Sequence, residues 1–446
     1  LLGCAGHPPQ RPAHPASARD WAGPVVVPSS RGAIIAGSPA SAPEGAEIVV
    51  SDKLSLAAAL ALTVQHNPTL AAFAAEIEAR DGAALQSGLP ANPSLDLEVE
   101  NFAGRGERQG MDGAETTLAL SQLIELGGKR HQRQQLTLLE KDLAGWDYQS
   151  KKLDLLTATA HAFIQVLAAQ EQASLNEELV RVAGRTQAAV HRRVEAGKVS
   201  PVQKIRAQIE LAAARSEAGR SQRQWAQARH RLAAFWGGDG IGFTELTGDL
   251  TRLTPPAGLE KGPAQLEKNP DLGRWPSELA RRQAALALAR SLATPDATFS
   301  LGVRNFQETA DNALVAGISI PLPLFDRNQG AISEAGANLA KALEQQQAAQ
   351  RGLHAQLAMA RQELAAAYSE AITLRDEIMP GAQQLFGAME VGYQEGKLDF
   401  LEMLEAQKTL FTVRRHYGQA LRAYHLARLD VERLQGLPVA IAEKNN

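Results

Sequence analysis

Along most of this chain the apolar positions recur at helical spacing, but four short stretches alternate instead. Thr116 to Gln135, TTLALSQLIELGGKRHQRQQ, opens with one of them. Leu118, Leu120 and Leu123 read as pointing one way and Thr117, Ala119 and Ser121 the other, the period-two pattern of a half-buried strand. After Gly127, Gly128 and Lys129 the composition changes to Gln, Arg, Leu, Glu, Lys and Ala, all good helix formers. No Pro occurs between Ser94 and Ser200. The predicted helix therefore runs to about Ala196, roughly 65 residues or about 100 Å at 1.5 Å per residue. Ala313 to Ser333, ALVAGISIPLPLFDRNQGAIS, repeats the passage from strand through a short turn into a long helix. Helices of ordinary globular domains average about 11–12 residues, so two such junctions set this chain apart.

Upstream, residues 1–50 are rich in Pro, Ala, Ser and Gly and read as an extended linker. A helical pattern starts at Leu54, with Ser55 as a cap and Leu56, Leu60 and Val64 at helical spacing. His66-Asn67-Pro68 breaks it, and Pro68 starts a second helix that runs to about Leu89 and stops at Pro90-Ala91-Asn92-Pro93. In Ser94 to Phe102, Leu95, Leu97 and Val99 alternate with Asp96, Glu98 and Glu100. With the Gly-rich loop 103–113 and the next strand this makes a hairpin with one apolar and one acidic face. After the long helix, Gly197-Lys198-Val199-Ser200-Pro201 forms a turn, and a helix of about 35 residues follows to Trp236.

The order then repeats. Asn269-Pro270 matches Asn67-Pro68, Asn305-Phe306 matches Asn101-Phe102, Gly396-Lys397 matches Gly197-Lys198, and Gly436 matches Gly237. An internal duplication follows. The first repeat covers 51–238, with strands at about 94–103 and 114–124. An irregular Gly/Pro-rich linker spans 239–263. The second repeat covers 264–437, with strands at about 296–306 and 312–322, and 438–446 is a tail. The fold class is α+β, mostly α. The medium and short helices of a repeat, placed end to end, span about 80 Å, close to the length of the long helix beside them. Strands of about 10 residues suit a tilted crossing of an outer membrane. Four strands cannot close a barrel, and open edges are not viable in lipid, so closure requires several copies of the chain.

Composition narrows the partners. A net charge of −3 over 446 residues offers no basic excess for nucleic acid. Aromatic residues at 5% and abundant Ala suit long helices packed through small side chains. No apolar run of about 18 residues marks a transmembrane helix. None of the ten His forms an H-x-x-x-H or H-E-x-x-H pattern, so no metal site is predicted and no cofactor is implied. Gly127-Gly128-Lys129-Arg130 fails as a phosphate loop, because Leu123 stands where the first Gly belongs and Arg130 where Ser or Thr belongs. Its glycines instead permit the sharp exit from strand to helix, with cations near a membrane rim. Cys4, in Leu1-Leu2-Gly3-Cys4, resembles a bacterial lipobox and is the candidate lipidation site. Ala5 after it implies sorting to the outer membrane.

The duplicated layout, the lipobox and the two junctions resemble the TolC-like outer-membrane efflux proteins over essentially all of residues 54–437. Ser121-Gln122-Leu123-Ile124-Glu125-Leu126-Gly127-Gly128-Lys129-Arg130 resembles the signature of the heavy-metal branch, the CzcC-like and CusC-like channels. The resemblance implies a homotrimer with a twelve-stranded outer-membrane barrel and a long periplasmic α-helical barrel. It also implies a periplasmic membrane-fusion adaptor, an inner-membrane pump of the resistance-nodulation-division type, and no catalysis. The turns at Gly197-Lys198 and Gly396-Lys397 are then the periplasmic tip, and Asp399, Glu402 and Glu405 the acidic ring of its aperture. Glu402 and Glu405 are three apart and share a helix face; in an oligomer they attract cations. The first-repeat positions are Gln203 and Arg206, and Arg206 is a candidate partner for a neighbouring carboxylate. Two rivals remain: a drug-efflux or protein-secretion duct of the same fold, and a periplasmic coiled-coil adaptor or scaffold without a pore.

Overall fold

The computed structural model describes residues 52–237, 242–256, 266 and 269–437. Cys4 and the linker 1–50 lie outside the described residues. Two compact units are present. One comprises residues 73–147 and 273–349; the other holds the rest of the described chain.

The first unit is built on an antiparallel sheet of β2 (Ser94–Glu100), β3 (Glu115–Ile124), β5 (Ala297–Phe306) and β6 (Asp311–Ser319), in the order β2-β3-β5-β6. Two helices end in it, α2 (Pro68–Ser87) and α6 (Trp275–Ser291), and two leave it, α3 (Lys129–Glu195) and α7 (Gln329–Thr373). β2 stops short of Phe102 because Asn101 adopts a positive φ of 55°. β6 stops at Ser319 because Pro321 and Pro323 supply no N–H to a ladder.

Directly paired residues share a face of an antiparallel sheet. Leu97, Leu118, Val303 and Leu314 form one row, and Leu95, Leu120, Leu301 and Ala316 the next. This places Leu118 and Leu120 together as expected but corrects Leu123. Leu123 pairs with Thr298 and lies on the opposite face with Thr117, Ala119 and Ser121, while Gln122 takes its place in the apolar row beside Phe299 and Ile318.

The second unit holds α1 (Leu56–His66), most of α3, α4 (Pro201–Ala233), the short α5 (Pro270–Gly273), α8 (Met379–Gln394) and α9 (Phe400–Leu434). Its main core gathers Leu54, Phe163, Ile164, Val166, Leu232, Trp236, Phe243 and Leu250. Residues 239–263 are not wholly irregular. β4 (Glu245–Thr247) pairs in parallel with β1 (Lys53–Ser55), so Leu54 belongs to a strand and α1 starts at Leu56. Ser55 is its cap, accepting the N–H of Ala58 at 3.3 Å.

The Asn-Pro motif has the same job in both repeats. Asn67 donates its Nδ2–H to the carbonyl of Phe235 at 2.7 Å, while its Oδ1 accepts the N–H groups of Thr69 and Leu70. Asn269 donates to the carbonyl of Leu434 at 2.9 Å and accepts from the N–H of Asp271. Each Asn thus caps the helix that Pro starts and ties that start to the end of a distant helix. The second long helix departs from the first. A π-turn, Leu374–Ile378, separates α7 from α8 just before Pro380. Pro lacks an N–H and crowds the preceding turn, and a widened turn accommodates it.

Candidate functional site: sheet, junction and helical tip

The sheet presents two chemistries. On one face Leu95, Leu97, Leu118, Leu120, Leu301, Leu314 and Ile318 are exposed. Each is worth about 1.5–3 kcal/mol when fully removed from water, a cost this face bears unless something apolar covers it. The other face carries Asp96, Glu98, Glu100, Glu115 and Asp311. A single cation, Arg304, stands among them. Its Nη1 is 3.0 Å from Glu115, its Nη2 3.1 Å from Glu100, and its Nε donates to Thr117 Oγ1 at 2.8 Å. Sequence reasoning missed Arg304, although it is the one charged residue inside β5.

At the strand-to-helix junction Gly127 and Gly128 have φ of +68° and +72°. A Cβ on Gly127 would lie 2.9 Å from the side chain of Thr294, so this position requires glycine for space as well as for backbone. Lys129 is not offered to a membrane rim. It is 5% exposed, and its Nζ meets Asp296 at 2.7 Å, where Asp296 also accepts the N–H of Leu126 at 2.9 Å. Arg133 holds Glu125 with two bonds, of 2.9 and 3.1 Å. Arg130 is the exposed cation.

The two predicted tip turns are built alike. Gly197 and Gly396 have φ of +67° and +77°. Lys198 N–H returns to the carbonyl of Arg193 at 2.8 Å, and Lys397 N–H to that of Gly392 at 2.9 Å. Both are the glycine-terminated helix end that satisfies orphan carbonyls. Lys198 and Lys397 are exposed, and Lys397 pairs with Glu395.

Ser200 caps α4, and Asp399 with Glu402 forms a capping box at α9. The Glu402 carboxylate accepts the N–H of Asp399 at 3.2 Å, and Asp399 Oδ1 accepts Gln203 Nε2 at 3.2 Å. Glu402 and Glu405 are exposed. Arg206 is also exposed and makes no ion pair among the described residues. The link the sequence did not disclose is Arg193. It donates to the carbonyl of Tyr393 at 2.8 Å and lies 4.5 Å over its ring. Beneath it Val190, Ala207, Tyr393, Phe400, Met403 and Leu404 form a small core. Lys408 and Glu210, 2.5 Å apart, add an ion pair to the Gln203–Asp399 and Arg193–Tyr393 links between the repeats.

Among the described residues no helix is long and apolar enough to cross a membrane, and no three His, Cys, Asp or Glu side chains are grouped to hold a metal. Among the described residues the sheet has one exposed apolar face, one acidic face and two unpaired edge strands, and it is joined to very long helices. The family described as outer membrane efflux protein matches residues 59–238 and 263–437, and the chain belongs to it. It is 34% identical to the cobalt-zinc-cadmium resistance protein CzcC of Cupriavidus metallidurans, over 86% of this chain and 90% of that one. It is 28% identical to the nickel and cobalt resistance protein CnrC of the same organism, over 62% and 65% of the two chains. The crystal structure of the Campylobacter jejuni CmeC outer membrane channel superposes with a TM-score of 0.72 at 15% identity, covering 92% of this chain and 93% of that one. Membership sets aside the pore-less scaffold, and the chain is a transport component rather than an enzyme.

Proposed function

We propose that the protein is the outer-membrane exit duct of a tripartite efflux system exporting heavy-metal cations. Three copies close a twelve-stranded barrel, a periplasmic adaptor docks on the helical end, and an inner-membrane pump of the resistance-nodulation-division type supplies the energy. The observation that carries this is the two-faced sheet with open edges β2 and β6, in a chain 34% identical to a metal-resistance protein. An acidic lumen and an acidic tip of Asp399, Glu402 and Glu405 suit cations, because like-charged rings concentrate counter-ions without binding them tightly. Cys4 is the proposed lipid attachment point. The test is resistance. Deleting the gene should lower tolerance to cobalt, zinc or cadmium and leave tolerance to hydrophobic drugs unchanged; the reverse pattern makes it a drug-efflux duct.

A further inference from the structure

The acidic face of the sheet is not uniform along its strands. The long helices begin beyond Ile124 and Ser319, and the hairpin turns lie at the opposite, outer end, so the rows of paired residues can be ordered outward from the helices. The first two rows of this face carry one charge, Asp96, among Ser, Ala, Gly and Val. The next row holds Glu98, Thr117 and Arg304, and the last holds Glu100, Glu115 and Asp311. The carboxylates therefore crowd the outer end, and Arg304 is the cation set among them.

Glu100 and Glu115 stand directly opposite each other. Side chains so placed have Cβ atoms about 4.5–5.5 Å apart, and like charges there repel. Arg304 resolves the conflict by reaching from β5 across β3 and setting one guanidinium nitrogen on each carboxylate. The other oxygen of Glu115 accepts Asn101 Nδ2 at 3.0 Å. Glu98 and Asp311 differ: both are exposed, and neither has a hydrogen bond or ion pair among the described residues. Two facing carboxylates are also the oxygen-donor chemistry that retains a divalent cation. In this sheet a tethered guanidinium takes the place between them.

We propose that Arg304 is a specificity-determining residue of the duct's outer mouth: it neutralises Glu100 and Glu115 so that divalent cations pass without being retained. Glu98 and Asp311 are left to draw cations outward. The proposal rests on the reading of the acidic face as the lumen of an efflux duct. Passage requires binding weak enough to release the ion, and an exit lined by unopposed facing carboxylates would hold it. Arginine suits the role because it stays charged at every pH at which carboxylates ionise, and its fork serves two of them at once.

The full chain reconstituted in planar bilayers, carrying potassium current with zinc chloride added, tests this. Arg304→Gln should let zinc suppress the current at about tenfold lower concentration than in the parent, the lower end of what a cleft of one charge sign achieves. Arg304→Lys keeps the charge and should stay nearer the parent. Adding Glu100→Gln and Glu115→Gln to Arg304→Gln should return the zinc response to the parental one, which a purely structural role for Arg304 would not do. Glu100→Gln with Glu115→Gln alone leaves Arg304 unopposed and should lower the preference for cations; it carries the test if Arg304→Gln does not fold. Parental zinc block in Arg304→Gln channels of parental conductance, or parental cation preference in the double glutamine variant, overturns the proposal and leaves the duct standing. A parent chain that conducts no ions removes the duct reading, and the proposal with it.

Discussion

Replacing Asn269 and Asn67 tests whether the duplicated Asn-Pro motif fastens one helix start to another helix's end. Asn269 is fully buried and Asn67 is 8% exposed. Asn269→Ala removes the donor to the Leu434 carbonyl and the acceptor for the Asp271 N–H. A buried polar group left unsatisfied costs about 1–3 kcal/mol, and loss of an N-cap side chain about 0.5–2 kcal/mol. Together these put Asn269→Ala at about 2–4 kcal/mol, the middle of a summed range of about 1.5–5 kcal/mol. Asn67→Ala should cost about 1–3 kcal/mol, since the site is less sealed from water. Asn269→Asp keeps the cap but sets a carboxylate against a carbonyl, so it should be nearly as damaging as the alanine. Thermal loss of helix, followed by circular dichroism on detergent-purified protein, reads the effect. At about 2 °C per kcal/mol for a large chain, Asn269→Ala lowers the midpoint by about 4–8 °C. Asn269→Ala and Asn269→Asp both melting with the parent would refute the reasoning.

Other perturbations reach other parts. Lys129→Met leaves the Asp296 carboxylate without its cation; breaking a buried pair costs about 3–5 kcal/mol, and partial exposure of Asp296 reduces that to about 2. Adding Asp296→Asn should restore part of the loss, measured by the same melts. The His425 ring is buried and donates to the Leu250 carbonyl at 2.9 Å; burial holds its pKa below the usual value despite that bond. The unfolded chain therefore takes up this proton near pH 6.5 while the folded chain does not, and stability falls as pH drops below about 6.5. His425→Gln should flatten the decline in melting temperature between about pH 7 and pH 5; an unchanged slope counts against this assignment. Glu402→Ala with Glu405→Ala should reduce conductance and cation preference in reconstituted bilayers, and unchanged currents would remove both glutamates from the aperture.

What could be read from the sequence was what leaves a periodic trace. Leu95, Leu97 and Val99 against Asp96, Glu98 and Glu100 disclosed β2, and the Pro-free run after Gly128 disclosed α3. The paired Asn-Pro and Gly-Lys motifs disclosed the duplication, and with it the mostly-α class with four strands. What escaped depends on partners distant in sequence. β1 and β4 have three residues each and meet across 192 positions, too short for alternation to register. Lys129 looked like a rim cation because Asp296, which buries it, lies in the other repeat. The π-turn did have a signal, Pro380 inside a helical pattern. The Arg193 contact with Tyr393 had none, because an arginine near a helix end is ordinarily solvated. Leu123 lies three residues, an odd number, beyond Leu120, so strict strand alternation sets it on the face of Thr117, Ala119 and Ser121.

The most direct measurement of the central claim is the mass of the detergent-extracted protein from outer-membrane fractions, by light scattering corrected for detergent. The account predicts a single species of three times the 47.7 kDa chain mass, recovered only with detergent. A monomer that stays in aqueous buffer without detergent would mean that the sheet needs no sister copies, and would contradict it.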